Sequence, residues 1–180
     1  MHYLTFTVQG FVPDAESGQP ILVLQDEGGR FLLPIWIGVP EAGAIACSLQ
    51  GQVLPRPMTH DLLSSVVRAL GGEVLRVEIR GIDSGTFLAD LCLRDATGQD
   101  RTIDCRPSDA IALAVRTGAM IRVASSVLEA AQPLHADEAA APSGTDGGLS
   151  VVAADDAEGC ARLALALERL SPEDFGKFRT

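Results

Sequence analysis

The sequence predicts an α+β protein, because runs of strand-like residues are separated by short helical segments. Hydrophobic residues fill 47% of the 180 positions, enough for a core and too much for a disordered chain. Runs rich in β-branched and aromatic residues predict strands at 3–12, 20–25 and 30–38. Pro34 lies inside the third run, so that strand is expected at a sheet edge or bent at the proline.

The remaining elements follow in order along the chain. Small residues predict a short helix at 40–49. A second helix is predicted at 59–70, where leucines and valines recur at i and i+4, Thr59 can cap the start, and Gly71 and Gly72 end the helix. Apolar alternation predicts a hairpin that turns at 83–85. A strand at 101–105, a helix at 108–116, a strand at 120–123 and a helix at 125–131 complete the core.

Composition divides the chain into a predicted domain at 1–132, a flexible linker at 133–154 and a helical extension at 155–180. The extension carries an amphipathic stripe of Leu163, Leu167 and Leu170. Residues 40–46 also resemble residues 108–114 at an offset of 68. This echo indicates either an internal duplication or a chance likeness between two alanine-rich helices.

Charge and motif content exclude several classes of protein. The chain has 14 basic and 24 acidic residues, a net charge of −10, whereas a general nucleic-acid binder is usually basic. No signal peptide or membrane-length apolar run is seen, so we expect no membrane partner and a cytoplasmic location. Four cysteines without a CxxC pair and three scattered histidines argue against zinc. No cofactor-binding glycine loop occurs, so no organic cofactor is expected.

Two stretches share a plan that suits anion binding. In each, an Arg-Pro pair is followed by a hydroxyl residue and an aspartate at a predicted helix start: Arg56, Thr59 and Asp61, then Arg106, Ser108 and Asp109. A helix N-terminus offers free N–H groups and partial positive charge, and arginine adds a bidentate fork. We therefore predict that a phosphate is held by Arg56, Arg106, Thr59 and Ser108.

Catalytic candidates lie beside these stretches. His60 falls in a first helical turn, where the helix dipole favours a neutral imidazole that can accept a proton or bind a metal. Glu41, Asp61 and Asp109 could supply oxygen ligands to Mg²⁺ or Mn²⁺, which would bring positive charge to an acidic protein. The alternative is that these side chains are helix caps and surface ion pairs. Trp36 and the phenylalanines lie in strand-like runs without interleaved Lys or Arg, which favours core positions over base-stacking platforms.

Four ordered motifs resemble the bifunctional nuclease family. They are Leu33-Pro34-Ile35-Trp36-Ile37-Gly38 with Glu41-Ala42, then Arg56-Pro57 with Thr59-His60-Asp61-Leu62, then Gly85-Thr86-Phe87, and finally Arg106-Pro107-Ser108-Asp109-Ala110-Ile111-Ala112-Leu113-Ala114. The resemblance implies an α+β domain with a strongly bent mixed sheet, self-association into a homo-oligomer, and cleavage of RNA and DNA.

Two hypotheses of function follow, with a third for the extension. The first is a divalent-metal-dependent nuclease in which Glu41, Asp61 and Asp109 bind the ion, His60 is the base or a ligand, and Arg56 and Arg106 hold the phosphate of a nucleic-acid substrate. The second is a non-catalytic oligomeric binding or regulatory module. The third treats the C-terminal helix as a protein-interaction element.

Overall fold

The computed structural model describes residues 2–14, 17–131, 134–135 and 152–153. These residues form one mixed sheet and four helices. The strands are β1 (Tyr3–Pro13), β2 (Pro20–Asp26), β3 (Phe31–Trp36), β4 (Glu73–Asp83), β5 (Thr86–Arg94), β6 (Asp100–Cys105), β7 (Met120–Ala124), β8 (Leu134–His135) and β9 (Val152–Ala153). The helices are α1 (Val39–Leu49), α2 (Thr59–Ala69), α3 (Pro107–Thr117) and α4 (Ser125–Ala131).

The sheet has the strand order β6-β5-β4-β7-β1-β2-β3-β8, and β9 pairs with β1. β4 and β7 run parallel, whereas the other described pairs are antiparallel. The register shifts once in β1, between Val8 and Gly10, and twice in the pairing of β4 with β5. Such irregularities bend strands and increase their twist. The α+β class with a mixed sheet is therefore confirmed.

Most predicted elements fall within a residue or two of their observed bounds. The hairpin turns at Ser84 and Gly85, both with positive φ, as a tight two-residue connection requires. β3 pairs with β2 through Pro34 but meets β8 only at Phe31 and Leu32. Pro34 thus lies where the strand is an edge, as its missing N–H predicts.

The core lies between the sheet and the helices that follow its strands. α1 and α3 pack against each other, α3 also covers β4 and β5, and α4 lies on β4 and β7. Small residues in α1 and α3 let these helices approach closely. The largest fully buried side chains are Phe6, Leu22, Leu24, Leu33, Ile45, Val77, Ile79, Ile111, Leu113, Val123 and Val127.

Helix α2 turns its apolar stripe towards solvent. Leu62 is 59% exposed and Leu70 73% exposed, and Leu63 and Val66 are exposed beside them. The face that packs on α3 and β4 instead buries His60 and Ser64. An apolar stripe normally marks the buried side of a helix. Here the side that packs on α3 carries His60, and the apolar side stays exposed in the part of the chain that the structure describes.

The weak sequence echo corresponds to a repeated structural unit. β1, β2 and β3 form an antiparallel meander followed by α1, and β4, β5 and β6 form a second one followed by α3. α1 and α3 each have 11 residues, and their bounds are offset by 68. This agreement favours duplication over chance likeness.

The predicted linker and extension lie largely outside the described residues. The two short strands β8 and β9 fall within the predicted linker. The helix predicted from 155 to 170, with Leu163, Leu167 and Leu170, is outside the described part, so the domain boundaries stay a prediction. In the part that is described, no helix has the length and apolarity needed to cross a membrane.

Candidate active site

Three acidic residues occupy the same position in three different helices. Glu41 is the third residue of α1, Asp61 of α2 and Asp109 of α3. A carboxylate in the first helical turn is stabilised by the unpaired N–H groups and the helix dipole. The sequence therefore places each carboxylate locally, and packing of the helices decides which of them meet.

Glu41 and Asp109 meet at one guanidinium group. Arg106, the residue that caps α3, places Nη1 2.9 Å from Glu41 Oε1, Nε 2.7 Å from Asp109 Oδ2, and Nη2 3.0 Å from Asp109 Oδ1. The bond to Asp109 is bidentate, the strong geometry for an arginine–carboxylate pair. The Arg106 side chain is still 61% exposed, so it can reach a further anion.

His60 completes this group, named here the Arg106 cluster (Glu41, His60, Arg106 and Asp109). His60 is buried, and its Nε2 lies 3.2 Å from Asp109 Oδ1. The hydrogen bond with His60, aided by Arg106 and opposed by burial, lowers the pKa of Asp109 to about 2. Asp109 therefore stays ionised and fixes both His60 and Arg106 at neutral pH.

Asp61 belongs to a different set of contacts. Its Oδ2 accepts the Met58 N–H at 2.8 Å, and its Oδ1 accepts Arg116 Nε at 2.6 Å. These bonds hold the pKa of Asp61 below its usual value. Arg116 also donates to the carbonyls of Ala112 and Ala44, at 2.8 and 2.9 Å. The side chain of Asp61 thus joins α2 to α1 and α3 through Arg116.

The predicted metal ligands do not form a cation site as they are arranged. Among the described residues, no group of three or more His, Cys, Asp or Glu side chains is placed to hold a metal ion. Glu41 and Asp109 both direct oxygens to Arg106, and Asp61 is engaged by Arg116. A Mg²⁺ ion prefers near-octahedral oxygen ligands, and these oxygens already serve cationic donors.

An open pocket of about 500 Å³ lies beside the cluster. Its lining includes the polar residues Glu41, Arg106 and Ser108 and the aromatic residues Trp36 and Phe87. His60 and Asp109 do not line the pocket; Asp109 contacts it through Arg106, and His60 contacts Asp109. The prediction that Trp36 is a core residue is wrong, because Trp36 ends β3 and its side chain is 55% exposed.

The predicted phosphate-binding residues divide into two groups. Arg106 and Ser108 line the pocket, whereas Arg56 and Thr59 are exposed and are not part of its lining. Thr59 is also not the cap of α2: Met58 is the capping residue and Thr59 is the first helical residue. The Asp61 carboxylate satisfies the Met58 N–H, which is why the helix begins one residue earlier than a threonine cap would allow.

Gly38 is a site residue that the sequence reasoning did not single out. It precedes α1, and a Cβ atom built on it would overlap Glu41 Oε2. The absence of a side chain therefore lets the Glu41 carboxylate fold back against the chain beside Arg106. The signal was available in the spacing of Gly38 and Glu41 within the first motif.

Fold and site together define an α+β domain with a carboxylate–guanidinium–imidazole cluster beside an open, partly aromatic pocket. A family model described as the bifunctional nuclease domain matches residues 22–135, which include every residue of the Arg106 cluster. The chain belongs to the bifunctional nuclease domain family.

Individual relatives fall into two kinds. An uncharacterised protein of Mycobacterium tuberculosis is 39% identical over 170 residues, covering 93% of this chain and 95% of the relative. Bifunctional nuclease 2 of Oryza sativa subsp. japonica is 29% identical over 119 residues, or 64% of this chain and 36% of the relative. Bifunctional nuclease 1 of Oryza sativa subsp. indica is 26% identical over 112 residues, or 61% and 34%. Because the alignment with the mycobacterial protein covers 93% of this chain, the similarity between the two extends beyond residue 136.

Proposed function

We propose that this protein is a nuclease that hydrolyses phosphodiester bonds at the pocket beside the Arg106 cluster. The observation that carries the proposal is that Glu41 and Arg106 both line that pocket and are paired with each other, while Asp109 pairs with the same guanidinium. Family membership and the names of the rice relatives supply the reaction class.

Each residue of the cluster has a role that its position supports. Arg106 is exposed, stays charged and faces the pocket, so it holds the phosphate. Glu41 is the carboxylate that faces the pocket, so it accepts the proton of the attacking oxygen. Asp109 pairs with Arg106 and His60 contacts Asp109, so these two residues position the guanidinium. This assignment moves the base from His60, where the sequence placed it, to Glu41.

Dependence on Mg²⁺ or Mn²⁺ stays a prediction with two opposed arguments. The two carboxylates outnumber the one guanidinium in the cluster, so a cation would help a phosphate approach. The donor arrangement argues against a preformed ion site, because the carboxylates already contact arginine. Cleavage assays in Mg²⁺, in Mn²⁺ and in EDTA decide between these arguments.

The direct test is an assay of the purified chain with end-labelled single-stranded RNA and DNA. We expect cleavage that saturates with substrate and co-purifies with the folded protein. If the chain cuts neither RNA nor DNA in Mg²⁺, in Mn²⁺ or in EDTA, the proposal is contradicted.

A non-catalytic binding module is the second candidate, and one observation favours it. The carboxylates of the cluster and Asp61 all have cationic partners, as expected for helix ends held together by ion pairs. This candidate predicts binding of a nucleic acid or another anionic partner with no cleavage under any condition. Measuring both binding and cleavage in the same assays distinguishes the nuclease from the binding module.

The homo-oligomer that the family resemblance implies is assigned here to the exposed stripe formed by Leu62, Leu63 and Val66 of α2 and by Leu70, which caps its C-terminus. Contiguous exposed apolar residues commonly mark interaction surfaces. Two copies of α2 packed antiparallel would bury both stripes and bring the acidic first turn of each helix near Arg68 in the last turn of the other. A second copy of the chain is therefore the partner that this surface fits.

The replacement Val66→Glu is expected to reduce the particle mass to that of one chain, because two charged groups would face each other in the buried interface. Light scattering on eluted protein measures the mass. Ile103→Glu, at an exposed apolar position on β6, is the matched control and should keep the wild-type mass. A wild-type monomer, or an unchanged mass for Val66→Glu, would contradict the assignment.

The cytoplasmic location also stays a prediction. The thiols of Cys47, Cys92 and Cys105 are free, in keeping with a reducing compartment.

A further inference from the structure

Trp36 is unusually exposed for a tryptophan at the end of a buried strand. An indole side chain buries more apolar area than almost any other, so a tryptophan on a strand usually contributes to the core. Trp36 instead ends β3 with 55% of its surface exposed, while its strand neighbours Ile35 and Leu33 are buried. The indole is thus largely exposed where it lines the pocket.

The lining of the pocket combines flat apolar surface with a cation. Trp36 and Phe87 come from β3 and from the start of β5, two strands on opposite sides of the sheet's centre. Gly85, at the hairpin turn beside Phe87, has open space around its Cα. Arg106 and Ser108 line the same pocket from α3. A ligand that fits this lining has a flat unsaturated ring and a nearby anionic group.

The volume of the pocket suits one such unit. About 500 Å³ lies in the range of roughly 300–1,000 Å³ typical of small-ligand pockets. A nucleotide has both required parts: a base with two π-faces and a phosphate joined to it through the sugar. In a duplex, neighbouring base pairs cover both faces, so only an unpaired base can stack on a protein ring.

We propose that the pocket is a subsite for one unpaired nucleobase, which stacks on Trp36 while the adjoining phosphate contacts Arg106. The preferred ligand is therefore a single-stranded polynucleotide. This assignment rests on the proposed function for its polymer class, and it gives Trp36 the role of selecting single strands over duplexes. Because stacking is indifferent to base identity, the subsite binds all four bases with modest differences.

Trp36 is the only tryptophan in the sequence, so its fluorescence reports this subsite directly. The full-length chain is titrated in EDTA with three DNA probes of equal length: single-stranded oligothymidylate, an abasic strand with the same phosphates, and a duplex. Binding is followed separately by the anisotropy of a label on each probe. We expect saturable quenching of Trp36 by oligothymidylate and little quenching by the abasic strand or the duplex.

Two replacements test the role of the ring. Trp36→Ala is expected to weaken binding of oligothymidylate by about tenfold or more, the usual cost of losing one base–aromatic stack. Trp36→Phe should recover most of the affinity. Met120→Ala, at an equally exposed apolar position on β7, is the control and should bind like the wild type. Circular dichroism of the variants confirms that each is folded.

Each outcome separates the subsite from the proposed reaction. Quenching by oligothymidylate without cleavage of any substrate would support the subsite and contradict the nuclease. Cleavage with equal KM and kcat in the wild type and Trp36→Ala would support the nuclease and contradict the subsite. Equal affinity for the abasic and base-bearing strands, or binding that leaves Trp36 fluorescence unchanged, would also overturn the subsite.

Discussion

Replacement of Arg116 by methionine is expected to lower the free energy of unfolding by about 3 kcal/mol, or the melting temperature by roughly 10 °C. Arg116 is 7% exposed and donates to Asp61 of α2, Ala44 of α1 and Ala112 of α3. Methionine preserves the aliphatic stem but leaves a carboxylate and two carbonyls without this donor. The magnitude is at the low end for a broken buried pair, because Asp61 is partly exposed to water.

Thermal and urea unfolding followed by circular dichroism measure this effect. Arg101→Met is the matched control, since Arg101 pairs with Asp95 at the surface, and its midpoint should stay close to the wild type. The depressed pKa of Asp61 means that its pair stabilises the fold above the unfolded pKa of 3.8 and that this contribution is lost as pH falls through the folded pKa. The difference in free energy of unfolding between the wild type and Arg116→Met should therefore become smaller below about pH 4. Equal losses for Arg116→Met and Arg101→Met would show that Arg116 does not join the three helices.

Replacement of Glu41 by glutamine is expected to lower kcat for cleavage by about 10²–10⁴-fold, the usual contribution of a positioned general base. Glutamine has the shape of glutamate and can still meet Arg106, so the fold should be retained. The loss should appear in kcat more than in KM, because the phosphate is held by Arg106. Glu27→Gln, on the exposed turn between β2 and β3, is the control and should cleave like the wild type.

His60→Gln provides the comparison that tests the assignment of roles. His60 is buried and contacts Asp109 rather than the pocket, so its loss should raise KM by disturbing the guanidinium and lower kcat less than Glu41→Gln does. A loss of kcat in His60→Gln as severe as that in Glu41→Gln would return the base to His60, as the sequence first indicated.

Local features were predictable from the sequence because local chemistry determines them. The small-residue helices α1 and α3 and the hairpin turn at Ser84 and Gly85 follow from propensity and turn geometry over a few residues. The carboxylates of Glu41 and Asp109 were also expected in first helical turns, and both are found there. The family itself was evident from four ordered motifs.

Contacts between elements that are distant in the sequence were not predictable, and these contacts determine which residues form the site. Helical periodicity shows that α2 has an apolar face, but not that this face would be left in water while His60 is buried. First-turn position does not say which arginine a carboxylate will meet, so Asp61 was expected beside Asp109 and instead pairs with Arg116. A strand-like run without interleaved Lys or Arg likewise favoured a core position for Trp36, because such a run does not reveal which of its residues will line an open pocket.

The 68-residue offset between α1 and α3 has an evolutionary consequence. Glu41 and Asp109 are equivalent positions of the two units, and both pair with Arg106. Ala44 and Ala112 are also equivalent, and both of their carbonyls accept a hydrogen bond from Arg116. Neither unit alone contains both acidic groups. A chain made of one such unit would have to pair with a second copy of itself to bring the two acidic groups together. With both units on one chain, each copy can change independently of the other, and the two equivalent positions now hold glutamate and aspartate.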